Sequence, residues 1–317
     1  MNGTLNTWLR QHAHPLATAP EADTTDLRPL DTTVRNAAVV TLGATTRVSH
    51  ELSALAFRMV RHLVERHGFR SLAWEGDDPV RLGLAAYVRT GDGDPRAFLS
   101  AARSFWRTEE ALAIVRWMRA YNLRHPDDPV RFAEPFGPVP TLADGLPAIE
   151  RRLAEDTVRW HEHTGDRIVY WGGIAHTAVR DPRTLTPAGS PITHHNAGSR
   201  LRARFGAGLV SVGMTFHHGS AALPVPAPPA GSAEVVLDGA EPDAYALTWA
   251  PGTGAEALPT AVRDWLTSPA RLRFLGPGDD RRQDAAHHLT GASLAAQFDA
   301  LIHVRTITPV APVAPFA

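Results

Sequence analysis

The sequence contains neither cysteine nor lysine, so all 32 of its basic residues are arginine. Without lysine the protein cannot form a Schiff base, a pyridoxal-phosphate linkage or the lysine contact of a Walker-type phosphate loop. Without cysteine it has no thiolate nucleophile, zinc ribbon, iron–sulfur cluster or disulfide. Any catalysis must therefore use other side chains, and the fold must rest on its hydrophobic core.

The chain also lacks a strong charge of either sign. Its 33 acidic residues nearly balance the arginines, which gives a net charge of −1 and a pI near 7.0. This balance does not attract nucleic acid or anionic lipid, so we predict neither as a partner. No stretch of about eighteen apolar residues occurs, and the first residues lack a basic segment followed by an apolar run, which predicts a cytoplasmic protein. Arginine in place of lysine is typical of a GC-rich bacterial genome.

What is present begins with the pattern of a βαβ unit. The apolar run Ala37–Leu42 (AAVVTL) is closed by Gly43 and predicts a buried strand. Apolar residues recur at helical spacing from Ser49 to a predicted C-cap at Gly68, and the apolar run Phe69–Trp74 follows. A strand, a helix and a strand in this order predict two parallel strands.

The rest of the chain extends this pattern to an α/β fold with a mainly parallel sheet. We predict one domain over residues 1–317, with a helical insertion at about 80–165 that forms a lid or a pocket wall. Its helices are predicted at 98–106, 109–123 and 145–163. Further strands are predicted at 167–171, 209–214, 233–237 and 300–304, and further helices at 260–266 and 293–298. Residues 181–196 predict a long loop, and the proline-rich residues 221–231 an irregular connector.

Polar residues that follow the predicted strands are the candidate site, because ligands of open parallel sheets bind at the carboxyl ends of the strands. Imidazoles and carboxylates at one rim supply a general acid and base. The predicted catalytic residues are Glu75, His176 and His50. The predicted substrate-binding residues are Arg47, Thr46, Trp74, His217 and His218.

The candidates differ in how strongly a functional role is favoured over a purely structural one. A carboxylate such as Glu75 at the end of a buried strand is costly to desolvate, which favours a functional role. His176 fits a helix cap equally well, and His50 fits a polar residue in the first turn of a helix. Arg47 fits a solvated arginine. His217 and His218 are neighbours, so at most one of them faces a pocket.

Several familiar motifs are missing from the sequence. No G-x-S-x-G elbow, H-E-x-x-H helix, G-x-G-x-x-G fingerprint or P-loop follows a predicted strand. Adjacent histidine pairs occur at 194/195, 217/218 and 287/288, but neighbouring residues rarely bind one ion together. We therefore predict neither a metal nor a cofactor.

The order of several segments resembles the erythromycin esterase family. These segments are LGATTRVSHEL, GFRSLAWEG, FWRTEEALAIVRWMRAYN and RIVYWGGIAHTA, and the likeness continues nearly to the C-terminus. The resemblance implies an α/β sheet core with a helical insertion. It also implies hydrolysis of macrolide lactones and other esters without a serine nucleophile, through water activated by histidine and glutamate.

The family's site residues transfer only in part. Glu75 and His176 fall on the second glutamate of the family and on the last histidine of its H-N-x-H segment. Its first glutamate is replaced by Ala44 and its usual water-activating histidine by Arg47. The H-N pair of that segment is replaced by Gly173 and Ile174.

Three functions remain open from the sequence. The first is non-hydrolytic acid/base catalysis, such as cyclisation, isomerisation or elimination, on a polyketide-like or macrolide-like natural product in secondary metabolism. The second is hydrolysis of an ester or lactone. The third is binding of a small molecule without catalysis. In each, the expected partner is a small-molecule natural product.

Overall fold

The computed structural model describes residues 3–179, 183–186, 192–249, 258–276 and 287–313. Its helices are α1 (Gly3–His12), α2 (Asp31–Val34), α3 (His50–His67), α4 (Leu84–Thr90), α5 (Pro95–Ser100), α6 (Glu109–Arg124), α7 (Leu146–Thr164), α8 (Ile174–Thr177), α9 (Ala197–Phe205), α10 (Ala233–Leu237), α11 (Thr260–Thr267) and α12 (Leu294–Gln297). Its strands are β1 (His14–Pro15), β2 (Val39–Ala44), β3 (Phe69–Trp74), β4 (Arg131–Phe132), β5 (Arg167–Gly173), β6 (Arg183–Thr186), β7 (Ile192–His194), β8 (Leu209–Ala221), β9 (Leu223–Val225), β10 (Ala244–Thr248), β11 (Pro269–Arg273), β12 (His288–Ser293) and β13 (Ala300–Ile307).

A nine-stranded sheet is the centre of the described part of the fold. Its strand order is β1-β10-β13-β8-β2-β5-β3-β4, and β9 pairs with β8. The pairs from β13 through β4 are parallel, whereas β1, β10 and β9 join antiparallel. The predicted α/β fold with a mainly parallel sheet is therefore confirmed.

The predicted βαβ unit is present, with one difference in its topology. The Ser49 hydroxyl accepts a hydrogen bond from the amide of Leu52 at the start of α3. Gly68 ends the helix at a φ of +68°, a left-handed conformation that glycine adopts without strain. Strands β2 and β3 are parallel but not neighbours, because β5 lies between them. The residues that follow β2, β5 and β3 therefore lie side by side.

The helical insertion covers both faces of the sheet. Buried side chains of α4, α5 and α6 join those of α3 in the largest hydrophobic cluster, whereas α7 packs beside α9 on a separate cluster. The predicted helix 98–106 is instead the end of α5 followed by a 3₁₀ turn at Ser104–Trp106. None of the helices in the described ranges has the length and hydropathy needed to cross a membrane.

Two predictions for the second half of the chain are wrong. The predicted loop 181–196 contains β6 and β7, which belong to a separate four-stranded antiparallel sheet with β11 and β12; residues 181, 182 and 187–191 lie outside the described part. The predicted strand 233–237 is helix α10, which buries Ala233 and Leu237 one helical turn apart. A short apolar run fits either element, and burial decides between them. The proline-rich residues 221–231 include β9, which pairs with the end of β8.

Candidate active site

Three of the predicted residues meet at the carboxyl ends of β2, β5 and β3. Arg47 follows β2 and pairs through its Nη1 atom with Oε1 of Glu75, which follows β3. His176 lies in α8 directly after β5, with its Nε2 atom 3.6 Å from the same glutamate oxygen. Glu75 is buried, so its charge is balanced inside the protein rather than by solvent.

The backbone and one missing side chain fix the position of Glu75. Its Oε2 atom accepts a hydrogen bond of 2.7 Å from the amide of Gly173. A Cβ atom on Gly172 would lie 2.3 Å from that oxygen, so the carboxylate fits only because residue 172 is glycine. The indole of Trp106 donates a 3.0 Å hydrogen bond to the Glu75 carbonyl. The carboxylate is therefore held in one orientation before any substrate binds.

A second carboxylate, Glu150 of α7, lies behind His176 and is completely buried. Its Oε1 atom lies 3.0 Å from Nδ1 of His176 and 2.9 Å from Nε2 of His194. Its Oε2 atom accepts a 2.8 Å hydrogen bond from the amide of Ala197 at the start of α9. Arg47, Glu75, His176, Glu150 and His194 thus form a continuous row of alternating basic and acidic groups.

Glu150 was not among the residues predicted for the site, and His194 appeared only in the adjacent histidine pair 194/195. A signal for Glu150 was available, because it shares the buried face of α7 with Ala154 and Thr157, four and seven residues further on. A charged residue on the apolar face of a helix indicates a buried partner or a function. His194 lies in β7, inside the segment predicted as a loop, and its only signal was the neighbouring His195, which does not indicate a contact with His176.

The charges of the site raise the pKa of His176. Burial by itself would lower this pKa, but the charges of Glu150 and Glu75 together outweigh burial and hold the pKa above its ordinary value. Burial, with the charges of Glu75 and Glu150, also raises the pKa of Tyr170 well above its ordinary value, so this phenol stays protonated. The site therefore favours a proton on His176 when a nearby reaction releases one.

Arg47 and His176 line a common cavity of about 150 Å³. The described residues that bound it come from three segments, 44–47, 173–176 and 274–276. Thr46 is buried in its wall, and Phe274 and Leu275 supply apolar surface. The Arg47 guanidinium also stacks 3.5 Å from the centre of the Phe105 ring.

The structure does not bring the other predicted residues into this group. Nδ1 of His50 lies 2.7 Å from Oε1 of Glu110 in α6, and no contact between His50 and Glu75 or His176 is found among the described residues. Trp74 packs in the core, where its ring stacks on that of Trp106 at 4.7 Å. Its edge borders a neighbouring cavity that Asp77 and Tyr170 also line.

His217 and His218 are not at a strand end, because β8 continues to Ala221. Their Nδ1 atoms lie 2.9 Å apart, and His218 also contacts the Thr306 hydroxyl on β13. Neither histidine lines the cavity that Arg47 and His176 share. The prediction that they follow a strand is therefore wrong, and their predicted role in substrate binding has no support from their position.

A family model and a protein of Bacillus subtilis both match parts of this chain. The family model described as Erythromycin esterase matches residues 64–133 and 146–307. The Bacillus subtilis (strain 168) protein named "Putative hydrolase YbfO" is 30% identical over 113 residues. That match covers 35% of this chain and 25% of the relative, so it spans only about a quarter of the relative's length.

Three solved structures share the fold. A succinoglycan biosynthesis protein has a TM-score of 0.77 at 20% identity and covers 97% of each chain. A protein from Bacillus cereus has a TM-score of 0.78 at 19% identity and covers 98% of each chain. An erythromycin esterase mutant in its open conformation has a TM-score of 0.63 at 13% identity, covering 96% of this chain and 99% of the other. At these identities the likeness shows the fold alone.

The family model and the name of the B. subtilis relative describe hydrolytic proteins, and neither describes cyclisation. The resemblance noted in the sequence is confirmed by a model match over most of the chain. The protein belongs to the erythromycin esterase family.

Proposed function

We propose that the protein hydrolyses an ester or lactone, with His176 as the general base and acid. The observation that carries this proposal is the contact between His176 and the buried Glu150. A buried carboxylate beside one ring nitrogen of a histidine stabilises the imidazolium formed when the other nitrogen takes a proton; here the approach of Oε1 to Nδ1 is a charge contact and not a hydrogen bond. Nε2, the other nitrogen of His176, lies towards Glu75, and His176 itself lines the cavity.

In the proposed first step His176 activates water. The 3.6 Å between Nε2 of His176 and Oε1 of Glu75 is too long for a good hydrogen bond, and a water molecule could contact both groups. Nε2 takes one proton from this water, and the water oxygen attacks the carbonyl carbon of the ester. His176 then returns the proton to the alcohol oxygen as the C–O bond breaks. The products are a carboxylic acid and an alcohol.

Arg47 has a different role in this proposal. A guanidinium stays protonated in proteins, so Arg47 cannot replace the water-activating histidine that the family resemblance places at its position. It has five N–H groups, and its side chain borders the cavity beside His176. We assign it to the negative charge that develops on the carbonyl oxygen during attack.

The substrate class is a proposal from the family resemblance. It is a polyketide-like or macrolide-like natural product with an ester or lactone bond. A bacterial cytoplasm and secondary metabolism remain the predicted setting. The apolar side chains of Ile174, Phe274 and Leu275 beside the charged row fit a substrate that presents one polar bond on a largely apolar body.

A non-hydrolytic acid/base reaction is the second candidate, and Arg47 is the observation that favours it. Loss of the family's histidine removes one route to water activation, while Glu75 and His176 remain able to move a proton within the substrate. Under this alternative the product is an isomer or a dehydrated form. Binding without turnover is the third possibility and has no specific support in the site.

A panel of macrolactones and linear polyketide esters separates these functions. The purified protein is incubated with each compound and the products are weighed by mass spectrometry. Hydrolysis gives one product a water heavier from a lactone, and two fragments whose masses sum to the substrate plus one water from a linear ester. Isomerisation gives a product of equal mass, and dehydration gives one a water lighter. An isomer of the substrate or a product one water lighter, absent in His176→Asn, would replace the hydrolytic proposal with the second candidate.

A further inference from the structure

A second cluster of titratable side chains lies far from the candidate active site. Asp31 is the first residue of α2, and His62 and His67 belong to the last turns of α3. The other end of α3, at His50, lies by the carboxyl edge of the sheet. An α-helix rises about 1.5 Å per residue, so His67 is about 25 Å from that end.

The three side chains converge on a single point. Oδ1 of Asp31 lies 2.6 Å from Nε2 of His62 and 2.8 Å from Nε2 of His67. All three ligand atoms lie within 4.8 Å of one another. Two imidazole nitrogens and a carboxylate oxygen are a donor set that proteins use for zinc and related divalent metals.

We propose that Asp31, His62 and His67 bind a divalent transition-metal ion, for which Zn²⁺ is the probe. Ligand atoms of a tetrahedral zinc site lie a little over 3 Å apart when each is about 2.1 Å from the metal. The two carboxylate-to-imidazole separations, 2.6 and 2.8 Å, are shorter than this spacing, so a small outward movement of the Asp31 carboxylate accommodates the ion. Each imidazole then binds the ion through Nε2 and carries its proton on Nδ1, in place of the Nε2–H hydrogen bond to Asp31.

The surroundings allow an ion to enter. His62 is completely buried, but His67 and Asp31 reach the surface, with 12% and 34% of their side chains exposed. They border a depression that Asp23, Arg61 and Glu65 also line, together with Arg66. The three carboxylates there outnumber the two guanidinium groups, so the local charge does not repel a cation.

The alternative is a hydrogen-bonded bridge in which both imidazoles donate to Asp31 without a metal. Nδ1 of His62 is buried and makes no hydrogen bond among the described residues. This holds whether the ring proton is on Nδ1 or on Nε2. This atom therefore does not distinguish the two arrangements, and only metal binding does. In either arrangement the cluster joins α2 to α3. A bound ion would therefore stabilise the folded protein, because the unfolded chain does not preform the site.

Isothermal titration of the chelator-treated full-length protein with ZnCl₂ tests the proposal. Because His62 is buried, the variants are His67→Asn and Asp31→Asn, which keep polar groups of similar size at the more exposed positions. The wild type is expected to show one site that each variant weakens at least about tenfold, since even indirect disturbance of a metal site costs this much. Zn²⁺ should also raise the melting temperature of the wild type more than that of either variant.

The matched control is His125→Asn, which removes an exposed histidine stacked on Tyr121 and should leave this site unchanged. His176→Asn tests for zinc at the candidate active site. Zinc binding that survives His67→Asn and Asp31→Asn but is lost in His176→Asn would place the ion there and overturn the proposal. Equal, weak binding by the wild type and both cluster variants would identify the cluster as a hydrogen-bonded bridge only.

Discussion

Oε1 of the completely buried Glu150 lies 3.0 Å from Nδ1 of His176. Burial excludes water from this contact, so the carboxylate acts strongly on the imidazole. The opposite ring nitrogen lies towards Glu75 and the bond to be cleaved in our proposal. The pair connects α7 of the helical insertion to α8 at the end of β5, which means that the insertion contributes to the candidate site directly as well as covering the sheet.

Removal of the Glu150 charge should change the pH dependence of the reaction. A base must be deprotonated to act, so kcat/KM of the wild type should rise with pH as His176 loses its proton, with a midpoint above the ordinary histidine pKa. In Glu150→Gln the stabilising negative charge is absent, so the pKa of His176 falls. The pH range over which kcat/KM rises therefore moves to lower pH. If Glu150 had a purely structural role, its substitution would lower kcat/KM without moving the pH range over which kcat/KM rises.

Substitution of Arg47 should separate its charge from its shape. If Arg47 stabilises the developing oxyanion, Arg47→Met should lower kcat by about a hundredfold or more. Arg47→Lys should recover only part of this loss, because an ammonium group provides the charge without the planar set of donors. Steady-state kinetics on the ester cleaved fastest measures both. Wild-type kcat in Arg47→Met would exclude the role we assign to this residue.

A methyl group at position 172 should displace Glu75. The added Cβ would lie 2.3 Å from Oε2 of Glu75 and 3.0 Å from the Tyr170 ring. We expect Gly172→Ala to lose at least about tenfold in kcat, since misplaced catalytic groups cost this much or more. Gly208→Ala is the control, because its Cβ would meet nothing closer than 3.8 Å. Equal activity in the two variants, at comparable melting temperatures, would contradict the tight fit of Glu75.

The buried His303 should make the fold sensitive to acid. Burial, with the charges of nearby groups, lowers the pKa of His303 to about 3. The unfolded chain therefore takes up a proton at this position near pH 6.5, whereas the folded protein does not. Stability must fall as the pH drops from about 6.5 towards 3, by up to about 1.4 kcal/mol per pH unit.

The comparison of His303→Gln with the wild type isolates this effect. Melting temperatures between pH 7 and pH 4.5 should fall less steeply for the variant, although its stability at pH 7 is lower because its packing and its contact with Thr215 change. The exposed His125→Gln should follow the wild-type slope. Parallel slopes for all three proteins would show that His303 titrates normally in the folded state.

The sequence predicted the part of the fold that local patterns determine. Uniform apolar runs and helical spacing predicted β2, α3 and β3, with Gly68 as the cap. They could not predict that β5, almost a hundred residues further on, lies between β2 and β3, because strand order depends on long-range packing. The same limit explains α10, whose short apolar run fits two elements equally well.

The candidate site shows the same division. Arg47, Glu75 and His176 each follow a strand. The expectation that ligands of open parallel sheets bind at the carboxyl ends of the strands therefore located all three, and the structure brings them together. Glu150 and His194 lie on an inserted helix and on a strand of the second sheet, where no rule about strand ends applies. Their place beside His176 follows only from the packing of α7 and β7 around the end of β5.

Hydrolysis in water enriched in ¹⁸O, with a macrolactone or ester cleaved by the protein, tests the central claim most directly. We expect one labelled oxygen in the carboxylic acid product and none in the alcohol, at a rate reduced at least about a hundredfold in His176→Asn and in Glu75→Gln. Melting temperatures near the wild-type value confirm that both variants are folded. An unlabelled product of unchanged mass, or an undiminished rate in folded His176→Asn, would contradict water activation by His176.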